Sequence, residues 1–272
     1  MDLKTIVTDY NNTQFSKEQR SEYKKMNIHD ILNLIKKEFD SNAQAKRCHE
    51  KYYDVEGHKY YHMTEAEIIK SWNKKATKTR QLGNKIDEYI QLILNGATEK
   101  EIKLYRLDND INNEPVLKGK CDAVEQLLNN LKKLKLEKEL QEEPLYFKYK
   151  DYIFSGREDC IFKGKDRYVL VDWKSSKVNT QNNYGSKMFG PLKDFDDCNY
   201  IEYTLQIYFY KYFLIHTYNI TDPIDTYIIE FRIRDELTNT GEYYVYKPAF
   251  EYNEELIEKV IEYAVNKKEI LN

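Results

Sequence analysis

The chain has 272 residues, 41% of them hydrophobic, enough to bury one large core without a second folding unit. Lys and Arg number 43 against 46 Asp and Glu, a formal charge of −3, so no overall basic field points to nucleic acid and only a local patch could. No apolar run approaches the roughly 18 residues of a membrane span, and MDLKTIVTDYNNTQ lacks a basic start followed by an apolar segment, so membrane insertion and secretion are not expected.

The four cysteines, Cys48, Cys121, Cys160 and Cys198, form no CxxC pair and no His cluster at zinc spacing. Neither a disulfide framework nor a structural zinc is indicated, and a reducing, intracellular home fits. Tyr is abundant (25), Gly (9) and Pro (5) scarce, and Lys, Asn and Ile stand out, the composition of an AT-rich genome such as that of a virus.

In chain order, the first fifty residues read as helices. NIHDILNLIKKEF places Ile28, Ile31, Leu32, Leu34 and Ile35 largely along one side. YYDVEGHKYYH, aromatic on both sides of Gly57, predicts a hairpin. Thr64 with Glu67 three places on predicts a capping box and a helix from about Glu65. GNKIDEYIQLILNG predicts a further helix ending at Gly96, and residues 121–142 another that Pro144 stops.

From Leu145 the period changes to two. LYFKYKDYIFSG, CIFKG and RYVLVDW predict three consecutive strands with tight turns, one at Lys163–Asp166. Residues 178–199 predict a long mobile loop. YIEYTLQIYFYKYFLIHTYNI predicts a largely buried helix, IDTYIIEFRIRD and GEYYVYKPAF a closing strand pair, and NEELIEKVIEYAVNKKEIL a terminal amphipathic helix. Together these give an α/β fold with a small central mixed β-sheet flanked by helices.

The chemistry concentrates in YVLVDWKSSK. Strand alternation puts Tyr168, Leu170 and Asp172 on one face and Val169, Val171 and Trp173 on the other, with Lys174 on the face of Asp172. Asp159, in SGREDCIF one strand earlier, is brought near Asp172 by the short turn. Two acidic groups side by side repel unless a cation lies between them, and hard oxygen ligands favour Mg²⁺ or Mn²⁺. A metal there would polarise a phosphoryl oxygen and activate water, and Lys174 could orient that water or neutralise growing charge, which is what phosphodiester hydrolysis needs. An Asp-x-Lys at a strand end is also a common surface ion pair worth less than about 1 kcal/mol. The ordered set of Gly-x-x-Asp, turn, apolar strand and Asp-x-Lys-Ser is more specific.

Gly156-x-x-Asp159, Tyr168–Val171, Asp172-Trp173-Lys174-Ser175-Ser176 and Gln206-x-x-x-Tyr210 resemble the PD-(D/E)xK nuclease superfamily, and within it the RecB-like exonucleases. VDWKSSK is particularly similar to the mitochondrial genome maintenance exonuclease group and its phage and viral relatives. The likeness runs over about Thr64–Tyr218, with firm motifs only in 143–210. It implies a restriction-endonuclease-like core over 111–272 with a helical N-terminal region, 1–110, packed on it. It further implies Mg²⁺ or Mn²⁺ on Asp159, Asp172 and the Trp173 carbonyl, with Lys174 as catalytic lysine. Gln206 and Tyr210 are assigned near DNA and the active centre. Relatives often have a histidine in Gly-x-x-x-His where this chain has Gly83 followed by Asp87, so Asp87, its neighbour Glu88 or neither could take the metal there. Glu142 or Glu143 aligns loosely with an upstream acid, and Glu143 is the candidate.

Nucleic-acid contacts are expected from Ser175, Ser176, Lys177, Gln206 and Tyr210. Lys70, Lys74, Lys75, Lys78 and Arg80 form a basic cluster around Trp72, and Lys187, Lys193, Tyr184 and Phe189 decorate the long loop. Rings among ammonium groups suit single strands, though a solvated helix face reads the same way. The expected activity is a metal-dependent DNA exonuclease acting on free ends with single strands slightly preferred, in repair, recombination or genome maturation. The alternatives are an endonuclease of the same superfamily and an inactive, nuclease-like DNA-binding scaffold.

Overall fold

The computed structural model describes residues 2–181, 185–235 and 237–271; Tyr184 lies outside the described residues. The chain opens with α1 (Leu3–Gln14) and α2 (Lys17–Ser21), followed by β1 (Lys24–Asn27) and α3 (Ile28–Leu34). The strand corrects the all-helical expectation for this stretch. It forms because Lys24–Asn27 finds a parallel partner far along the chain, which no local pattern reveals.

After α4 (Ser41–Tyr52) the chain makes turns, not the expected hairpin, around Gly57, which adopts φ 78°. The aromatic residues there pack on each other and on helices: Tyr52 stacks on His58 with centroids 3.8 Å apart, and Tyr60 joins a small cluster with Ala45, Cys48 and Ile68. The Thr64–Glu67 capping box is present and starts α5 (Glu65–Leu94), one unbroken 30-residue helix covering both of the segments read as separate. It ends at Gly96 in a Schellman motif: Gly96 N–H bonds Ile93, Ala97 N–H bonds Leu92, and Gly96 takes φ 83°.

α6 (Glu99–Asp108) leads to α7 (Pro115–Lys133), shorter than the helix expected to reach 142. The same C-terminal motif closes it, with Lys135 at φ 56° where glycine would have signalled the stop. The KLKLEKEL that follows alternates with period two and supplies β2 (Glu137–Leu140). LYFKYKDYIFSG is likewise two strands, β3 (Pro144–Tyr149) and β4 (Tyr152–Arg157), folded back at Lys150, φ 54°. Then come β5 (Cys160–Lys163), β6 (Tyr168–Lys174), α8 (Asn199–His216), β7 (Ile224–Asp235), β8 (Thr240–Tyr246) and α9 (Glu254–Leu271), as the periodicity predicts. The loop before α8 is anchored in its described part by buried Met188 and Leu192.

The strands form two mixed sheets, β1-β4-β3 and β2-β5-β6-β7-β8. In the larger, β6 runs antiparallel to β5 and parallel to β7, the βαβ crossover being α8. On one face Tyr168 and Leu170 join a core with α3, α8 and α9; on the other Val169, Val171 and Trp173 join one with α5 and α7. β6 is therefore covered on both sides, and Asp172 lies within a strand that is otherwise apolar until Lys174. The four cysteines are free and buried. Among the described residues no helix is long and apolar enough to cross a membrane.

Candidate active site

Cys160 pairs with Val171 across β5 and β6, so the next step in register sets Asp159 opposite Asp172. The Asp159 carboxylate accepts the Trp173 N–H at 2.6 Å, tying it to the end of β6. Asp172 is 1% exposed. Its Oδ2 lies 2.7 Å from Lys174 Nζ, while its Oδ1 has no hydrogen-bond partner. Lys174 also reaches Gln206 Oε1 at a long 3.5 Å and lies 4.3 Å from the centre of the Tyr203 ring. Gln206 in turn donates to the Tyr210 hydroxyl at 3.1 Å, the two being one turn apart on α8. Gly156 is needed where the ring packs: a Cβ there would sit 2.5 Å from Tyr210 Cε1 and 2.4 Å from Ile28 Cδ1.

The electrostatics are those of acids crowded out of water. Burial, then the charge of Asp172, pushes the Asp159 carboxyl well above its usual range, and burial raises Asp172 against the pull of Lys174. Burial opposes the Lys174 ammonium too, yet the charges of Asp172 and Asp159 outweigh it and hold its pKa above the ordinary lysine value. Asp87, from α5, is raised to about 6 by burial and by Glu142, with Lys174 pulling it down and Asp172 pushing it up. Glu88, the neighbouring candidate, instead accepts the Tyr105 hydroxyl at 2.8 Å.

Of the two upstream acids, Glu142 is the one whose charge acts on Asp87, and it adopts φ 54° at the exit from β2. Glu143 contributes its backbone N–H to Glu158 in a long contact of 3.5 Å. Ser175 lies beside Gly83 of α5, where a Cβ would meet its Oγ at 3.0 Å; Ser176 is half-buried and Lys177 exposed. Trp72 is fixed by its indole N–H donating to Tyr60 at 2.6 Å. An open cleft of about 560 Å³ runs from Trp72 past Lys75 and Arg80 to Asn84 and Ser175. On the loop, Lys187 is paired with Asp196 at 2.7 Å, and Phe189 lies under Lys267.

Sequence reasoning passed over several buried charged residues, among them Glu158 (0% exposed), Glu230 (1%) and Lys120 (8%). Glu158 stands next to Asp159 in the quoted motif, so adjacency was its one available signal. Lys120 and Glu230 find their partners, Ser175 and Val178, in a segment distant from both in sequence.

Among the described residues no three His, Cys, Asp or Glu side chains stand at metal-ligand spacing. The donor set that could serve a hard cation is the pair Asp159 and Asp172, one of them carrying an oxygen that nothing else satisfies. Burial now drives both acids toward protonation, with the charge of Asp172 adding to it at Asp159, and a divalent charge between them would favour the ionised form of each.

No protein-family model and no curated protein matches the chain. Among solved structures it is similar to the crystal structure of a "putative exonuclease" from Eubacterium rectale, at 11% identity and a TM-score of 0.46, over 96% of this chain and 84% of that one. That likeness is loose in sequence and in shape, and the chemistry of the site rests on its own residues.

Proposed function

We propose that the protein is a metal-dependent nuclease of the PD-(D/E)xK type that hydrolyses DNA phosphodiester bonds from free ends, single strands slightly preferred. The observation that carries this reading is the convergence of Asp159, Asp172 and Lys174 at the end of one buried strand. Asp159, Asp172 and the Trp173 carbonyl would hold Mg²⁺ or Mn²⁺, with Asp87 beside them, directly or through water. Such a cation, when bound, would polarise a phosphoryl oxygen and lower the pKa of a neighbouring water.

The chain's own residues set the rest. Asp172 and Gln206 aim the Lys174 ammonium, so a fixed positive charge stands where the phosphate gains negative charge, and no reorganisation is needed at the moment of reaction. Tyr210 stays protonated, because burial raises its pKa, and so keeps Gln206 oriented as a hydrogen-bonded neighbour. The cleft along α5 supports a single strand as substrate: Trp72 offers a ring for base stacking, Lys75 and Arg80 offer charge to phosphates, and the cleft ends at Ser175, next to Lys174.

The test is digestion of end-labelled linear single and double strands and of closed circles, with Mg²⁺, Mn²⁺ or chelator. Metal-dependent loss of linear DNA with circles intact is expected. Cleavage of circles would make the protein an endonuclease, and binding without products under every condition would make it a scaffold.

A further inference from the structure

β6 ends at Lys174, and the chain beyond it must leave the sheet at the mouth of the site. Buried side chains from other elements hold that exit. Lys120, on α7, donates to the Ser175 carbonyl at 2.6 Å and to the Phe231 carbonyl at 2.7 Å. Glu230, which pairs with Lys174 in the parallel register of β6 and β7, accepts the Val178 N–H at 3.0 Å. It is itself held by Arg232, with Nε 2.7 Å from Oε1, and by the Tyr246 hydroxyl at 3.0 Å. Outside these, Asn199 accepts the Asn179 N–H at 2.7 Å and donates to the Lys177 carbonyl at 2.9 Å.

Lys120 is the unusual member. The residue is 8% exposed and its ammonium is bonded to two neutral carbonyls, an arrangement in which burial depresses its pKa. A hydrocarbon side chain would fill the same space without that desolvation cost. The backbone has been brought unusually close to let it reach. Gly119, the preceding residue, lies so near Gly241 of β8 that a Cβ on Gly241 would sit 1.7 Å from the Gly119 carbonyl oxygen. Two glycines thus let α7 settle on the β7–β8 pair, and the lysine spans from the helix across β7 to the first residue past Lys174.

We propose that Lys120 is a positioning residue: by fixing the Ser175 carbonyl it sets the backbone from which Lys174 projects and the end wall of the cleft that Ser175 lines. The proposal rests on the nuclease reading for its kinetic consequence but not for its structural one. The test uses the full-length protein and Lys120→Met, which keeps the bulk and removes the donors. The expected result is a thermal midpoint close to wild type and a kcat on linear single-stranded DNA lower by about tenfold to a hundredfold at nearly unchanged KM, as for a reacting group displaced by an ångström or less. Amide exchange of Ser175–Val178 should quicken in the same variant. Lys120→Gln, which retains N–H donors, should recover part of both and covers the case in which Met does not fold. Wild-type kcat together with wild-type exchange at 175–178 in a folded variant would overturn the proposal. If the wild-type protein cleaves nothing, the nuclease reading fails, and exchange at 175–178 alone then decides whether Lys120 orders the segment.

Discussion

The two sheets adjoin along the chain, since β4 belongs to one and β5 to the other with Glu158 and Asp159 between them, yet they bury different chemistry. The three-stranded sheet is scaffolding. Phe154 and Tyr152 are almost fully buried and pack within the same core as Phe213, and Phe147 stacks on Phe213 at 5.7 Å. The five-stranded sheet buries Asp172 and Glu230 within its strands, with Lys120 against it, each bonded to or facing a group of opposite charge or a carbonyl. Apolar burial stabilises wherever it occurs, whereas buried charge costs unless it is paired, so the charge gathered at one sheet end is the costly part of the fold and, on the proposed function, the part that serves chemistry.

The comparison breaks if the charged end proves to be merely structural. Asp172→Asn should lower cleavage by about a thousandfold, on the scale of losing a preorganised electrostatic group. Its stability should stay within about 1 kcal/mol of wild type, because Asn still accepts from Lys174 and no longer repels Asp159. A large loss of stability on chemical denaturation would mean that the carboxylate holds the fold. Phe154→Ala should do the reverse and cost about 3–5 kcal/mol of stability through the cavity it leaves.

The acids also give the five-stranded sheet a pH signature. Asp87 has a folded pKa of about 6 against an ordinary 3.8. Between those values the folded chain holds a proton that the unfolded chain has lost, so the Asp87 contribution to stability without metal should be lost as pH rises from about 4 to 6. Asp159 and Asp172 act in the same direction. Thermal midpoints in chelator across that range should show the decline, and Asp87→Asn should make it shallower; a midpoint that rises with pH would refute the assignment. The smallest effect belongs to the scaffold surface. Removing the exposed Lys24–Asp151 pair, 2.9 Å apart, should leave the midpoint unchanged within error.

What was legible in the sequence follows from the same division. The alternation of β6 put Asp172 and Lys174 on one face, and the short turn put Asp159 opposite, because register and pleat are local consequences of residue order. The capping box at Thr64 and the glycine at 96 were equally local. Lys135, Glu142 and Lys150 take left-handed backbone without glycine or asparagine to announce it, so the end of α7 and the β3–β4 hairpin stayed hidden. Lys120 and Glu230 gave no local signal, because their partners, Ser175 and Val178, are distant in sequence. The pairing of β1 with β4 was hidden for the same reason.

The most direct test of the account is single-turnover cleavage of end-labelled single-stranded DNA in Mn²⁺ by the wild-type protein and by Lys174→Ala, both shown to be folded. Shortened products are expected from the wild type, and a rate lower by about a thousandfold from the variant. Equal rates from the two proteins would contradict it.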